Sequence, residues 1–78
     1  MTSFSLETAD LVSRALDSIR EGKLEAALEQ VEALTAVAPD LRAAWACKVL
    51  LARRLGLDEV EREARERLMV LSPVAGNA

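Results

Sequence analysis

Gly22 and Gly56 stand 34 residues apart, and so do Pro39 and Pro73. This double spacing constrains the chain more than any other feature. Glycine ends a helix cheaply because it takes φ > 0 at no steric cost. Proline stops a helix because the residue before it is pushed away from α geometry. Each glycine is followed by the proline of its own half at the same distance, so the chain reads twice as helix, glycine turn, helix, proline stop. A 78-residue chain holds two such units with few residues to spare.

Composition supports helices throughout. Ala and Leu supply 27 of the 78 residues, and both are strong helix formers. β-branched residues are few and no alternating apolar pattern occurs. The expectation is an all-α single domain over residues 1–78. The first helix is expected from about Leu6 to Arg20, with Ser3 and Ser5 as candidate caps and Glu7 and Asp10 favourably placed against the dipole. The second runs from about Lys23 to Ala38, with Leu24, Ala27, Leu28, Val31 and Leu34 on one face. The third runs from about Leu41 to Leu55 and is apolar nearly all round, so it is expected to be central or to face a partner. The fourth runs from about Asp58 to Leu71. It carries a narrow stripe of Val60, Ala64, Leu68 and Leu71 and expected pairs Glu61–Arg65, Arg62–Glu66 and Glu63–Arg67. Residues 74–78 are expected to fray. An antiparallel four-helix bundle could be built from the same helices and short loops.

Several function classes lose their chemistry here. The chain has no His, one Cys, one Trp and a formal net charge of −3. Zinc sites of the usual kinds and His-based triads have no ligands or base to use. No Gly-rich phosphate loop or nucleophile elbow is present. An acidic balance without aromatic interleaving argues against nucleic acid. Neither enzymatic activity nor a cofactor or metal is expected. The N-terminus lacks a basic and an apolar region of the signal-peptide kind. The most apolar stretch, residues 43–52, is half the length a bilayer span requires. The expected location is cytoplasmic, away from any membrane. Cys47 has no His to activate it and is expected to be a small structural hydrophobe. Trp45 is expected to be an anchor, either in the core or at an interface.

A 34-residue helix–turn–helix period is that of the tetratricopeptide repeat. The chain resembles that family over nearly its whole length, with units at about 8–41 and 42–75. The closest match is the run from Gly22 to Pro39, with its turn glycine, small Ala27, large Leu28 and closing proline. Ala15 in the first unit, and Trp45, Gly56, Leu68 and Pro73 in the second, also fit. For Trp45 the resemblance favours the core. The chain departs from the pattern at Leu11, Ser18, Val49, Ala52 and Glu61. The resemblance implies two helical hairpins in a right-handed superhelix of the α-solenoid type. It also implies a concave groove lined by the first helix of each unit. Carried onto this chain, that lining is Ala9, Val12, Leu16 and Ile19, then Ala46, Leu50, Arg53 and Arg54.

An apolar groove of this kind suits an amphipathic helix of a protein partner, and arginines at one end could pair with its carboxylates. The implied role is an adaptor or chaperone. The residues Pro39-Asp40-Leu41, Trp45-Ala46-Cys47 and Arg54-Leu55-Gly56-Leu57 resemble, loosely, the small chaperones of bacterial type III secretion that share this fold. The alternative is a self-assembly module whose groove is filled by another copy. Two units leave no capping helix, and stacked repeats normally need more neighbours or a polar cap. A homodimer or an obligate partner is therefore expected. Residues 1–41 carry three basic and eight acidic side chains, and residues 42–78 carry seven basic and five acidic. The plain reading is a solvated surface of mixed charge; the alternative is attraction between opposite ends of two copies, an association that raised salt would weaken.

Overall fold

A computed structural model describes residues 6–71. Four α-helices follow one another: α1 (Leu6–Arg20), α2 (Leu24–Val37), α3 (Arg42–Leu55) and α4 (Asp58–Leu71). The candidate caps Ser3 and Ser5, the stop at Pro73 and the tail at 74–78 lie outside the described residues.

The two turn glycines do the same work in the same way. Gly22 has φ 78° and Gly56 has φ 74°. After α1, the Gly22 N–H donates to the Ile19 carbonyl at 3.0 Å and the Lys23 N–H to the Ser18 carbonyl at 2.8 Å. After α3, the Gly56 N–H donates to Arg53 at 3.2 Å and the Leu57 N–H to Ala52 at 2.9 Å. Both are Schellman closures, which satisfy the carbonyls a helix end would leave unpaired. Each bond of the first turn has its counterpart 34 residues on. A Cβ at either glycine would meet nothing within 4 Å, so the cost of substitution is the left-handed backbone alone. Gly22→Ala and Gly56→Ala should each lower stability by about 1 kcal/mol. Urea titration followed by circular dichroism checks this.

α2 ends at Val37, one residue before the expected Ala38, which serves as its cap ahead of Pro39. Ala38 has φ −138° and ψ 71°, outside α geometry. The loop that follows is tied down by the Leu41 N–H to Ala38 at 3.1 Å and by Trp45 Nε1, which donates to the Pro39 carbonyl at 2.9 Å. Trp45 departs from its expected place in the core. It is half-buried, with Lys48 Nζ 5.2 Å and the Arg67 guanidinium 5.8 Å from its ring centroid. The ring thus links the α2–α3 loop, α3 and α4 through its edge and both cations.

Helices pack only on their neighbours in the chain: α1 on α2, α2 on α3, and α3 on α4. No Cα of α1 comes within 8 Å of one in α3 or α4, nor does α2 approach α4. A closed up-and-down bundle would bring its first helix against its last. The core runs along α2 and α3, where Leu28, Val31 and Leu51 are buried with Ala15 and Ala27, and Leu24, Cys47 and Leu55 pack against them. Lys48 and Glu32 close the edge of this contact at 3.9 Å.

The two hairpins solve their helix contacts with exchanged chemistry. In the first, Ser18 Oγ donates to Gln30 Oε1 at 2.9 Å, while Ile19 packs on the cluster that holds fully buried Ala27. Thirty-four residues on, the positions of Ser18 and Gln30 are Ala52 and Ala64, both with no exposure. The positions of Ile19 and Ala27 are Arg53 and Glu61, paired at 3.1 Å. One polar contact and one apolar contact hold each hairpin, in opposite places. Glu61 also accepts from Arg65 within α4. Of the ion pairs expected along α4, only Glu61–Arg65 forms. Arg62 turns back to Glu59 at 3.9 Å and Arg67 lies over Trp45 instead.

The same 34-residue shift explains the outer faces of α1 and α4. The α2–α3 contact uses Leu24, Leu28 and Val31 against Cys47, Leu51 and Leu55. The corresponding residues of α4 are Asp58, Arg62 and Arg65, and those of α1 are Ser13, Asp17 and Glu21. All six are exposed. The register that is apolar inside the molecule is polar on both outer helices, so each end face carries its own cap. Any need for a second chain has to come from another surface.

Candidate functional site

That surface lies between α1 and α3. Both helices rest on α2 while their own Cα traces stay more than 8 Å apart, and a channel opens between them on the side away from α2. One hollow is lined by Val12, Leu16 and Ile19 of α1 and by Ala43, Ala44 and Cys47 of α3. Ala15, Val31, Leu34 and Leu41 complete its floor and end. A second continues it past Ile19 and Cys47 to Leu24, Leu50, Leu51 and Arg54. The lining advances along both helices together, from Val12 and Ala43 to Ile19, Leu50 and Arg54, so α1 and α3 run in the same direction. Leu16 is 48% exposed and Leu50 is 59% exposed. Two leucines left open to water on either side of one apolar channel lose about the transfer energy that their burial would provide.

The expected groove residues divide into two groups. Val12, Leu16 and Ile19 line the channel from α1, and Leu50 and Arg54 line it from α3. Ala9 is half-buried and lines neither hollow. Arg53 points to α4, where its Nε donates to Glu61 at 3.1 Å. Ala46, seven residues earlier on the same helix face, is half-buried and lines neither hollow. In their place stand Ala43 and Cys47. The row Ala43, Cys47, Leu50 and Arg54 has helical spacing and is readable in the sequence. It lies about 60° round the helix from the row through Ala46 and Arg53, and the two share Leu50.

Among the described residues, Arg54 is the only charged one that lines these two hollows. It has no ion-pair partner among the described residues, whereas its neighbour Arg53 does. Cys47, the chain's only thiol, is half-buried at the point where the two hollows meet. Among the described residues, no three His, Cys, Asp or Glu side chains converge as a metal site. None of the described helices is long and apolar enough to cross a membrane.

No family model, curated protein or solved structure matches this chain. The fold and the channel therefore carry the functional reading by themselves.

Proposed function

We propose that the protein is a non-enzymatic binding module of the tetratricopeptide-repeat type, whose α1–α3 channel holds an amphipathic helix of a protein partner. The observation that carries this is the open apolar channel itself, with Leu16 and Leu50 exposed across it. The neighbour-only helix packing, the duplicated Schellman turns and the parallel α1 and α3 are the geometry expected of two stacked hairpins. A helix laid in such a channel reads as anchors at i, i+3, i+4 and i+7. The role is that of an adaptor or a chaperone that keeps an apolar segment from aggregating, in the cytoplasm. Within that role, the likeness to small chaperones of type III secretion makes an export subunit the first partner to look for.

Leu16→Glu and Leu50→Glu test the reading. Both side chains are exposed on helices, so helicity by circular dichroism should be retained. Each substitution should remove a specific partner from a pull-down made in the native cell. An unchanged partner set would sink the proposal. The second reading, a channel filled by another copy, keeps one observation in its favour: the same leucines would be covered in a symmetric pair. It requires a concentration-dependent dimer that Leu50→Glu dissolves.

A further inference from the structure

We infer a direction and a charge for the occupant: a partner helix lying antiparallel to α1 and α3, with a carboxylate in its first turn against Arg54. The inference rests on the channel being a helix-binding site. The first argument is geometric. α2 already wedges between α1 and α3 from one side, packing on both while their Cα traces stay more than 8 Å apart. It runs opposite to both, as successive helices joined by short turns must. The channel is the vacant wedge on the other side, lined by the same two helices.

The second argument is electrostatic. α1 and α3 run together, so their C-terminal ends, where carbonyl dipoles leave partial negative charge, lie at the same end of the channel. An antiparallel occupant brings its positive N-terminal end there. Negative side chains are favoured in the first turn of any helix. Arg54 stands at that end of the channel, exposed and without an ion-pair partner among the described residues. A first-turn carboxylate meets both the dipole of its own helix and this guanidinium. The reverse orientation would place the occupant's own carbonyl end against two others.

Among the described residues, no helix face outside the channel offers a second copy a row of apolar anchors. Outside the channel, the exposed large apolar side chains of the described residues are Leu6, Val37, Leu57, Met69 and Val70. None of them forms a row at i, i+4 and i+7. The end faces of α1 and α4 are polar where stacking would need them apolar. The occupant inferred is therefore a helix of a separate chain, with a second copy left as an outcome of the test.

Two synthetic helix-forming peptides test the direction. Both carry Leu at i, i+3, i+4 and i+7 on an Ala and Gln background. One has two Glu in its first turn and two Gln in its last, and the other has them exchanged. Binding is followed by fluorescence anisotropy and by the rate at which maleimide alkylates Cys47, the only thiol. The acid-first peptide should bind about tenfold more tightly, the worth of a charge-assisted contact, and should slow alkylation. An acidic first turn also stabilises the free peptide helix, so Arg54→Glu is the decisive comparison: it should abolish or reverse the preference. Equal binding of the two peptides, or a preference that survives Arg54→Glu, overturns the direction and leaves the groove standing. Failure of both peptides to shield Cys47 overturns the groove reading itself. A dimer in sedimentation with Cys47 already shielded names a second copy as the occupant and overturns the inference.

Discussion

Leu51→Ala should abolish cooperative folding of the whole chain. Leu51 is 4% exposed and belongs to the cluster that joins α2 to α3. Those two helices make the close backbone contact between the first hairpin and the second, because no Cα of α1 comes within 8 Å of α3 or α4. Removing a buried leucine side chain costs about 2–5 kcal/mol, depending on how far the site collapses. A core of this size supplies no more than about 3–5 kcal/mol in total. The variant should lose its sigmoidal urea transition and most of its helical signal at 25 °C. A transition that keeps its slope and shifts only slightly would mean that the hairpins are stable apart.

The second large effect tests whether the 34-residue correspondence is physical. Ala27→Glu introduces a carboxylate at a position with no exposure. An uncompensated buried charge costs about 3–5 kcal/mol, so the single variant should be largely unfolded. The corresponding position in the second hairpin is Glu61, which accepts from Arg53 at 3.1 Å. Arg53 corresponds in turn to Ile19. The double variant Ile19→Arg with Ala27→Glu transplants the second hairpin's contact into the first. It should recover about 1–3 kcal/mol relative to the sum of the two single changes, the range seen for residues that share one contact. Strict additivity in urea denaturation would show that the hairpins are not equivalent there.

Local rules made the helices legible. Glycine and proline punctuate them, and the observed spans differ from the expected ones by at most one residue at either end. α2 loses Lys23 and Ala38 to its caps and α3 loses Leu41 to its own. These are the residues that backbone geometry makes half-helical. Contacts between helices were less legible. Arg53 could be read as a cation, but its partner stands on the next helix, eight residues on, at a position where a small residue was expected. That pairing turns Arg53 away from the channel and leaves Arg54 there. Trp45 read as a core aromatic because the family resemblance places an aromatic there. Its indole N–H found the Pro39 carbonyl and its ring two cations, and these hold it half-exposed. The polar end faces were present in the sequence throughout. They become visible only when each α2–α3 contact is shifted by 34 residues, which requires knowing the contact.

The channel gives the molecule a function to propose, and it exists only because α1 and α4 stay apart. Methyl NOE spectroscopy on Leu- and Val-labelled protein measures this most directly. Cross-peaks should connect α1 methyls such as Val12 and Leu16 to α2 and α3, and α4 methyls such as Val60 and Leu68 to α3. None should connect α1 to α4. Cross-peaks from Val12 or Leu16 to Val60 or Leu68 would mean a closed bundle with no groove to fill.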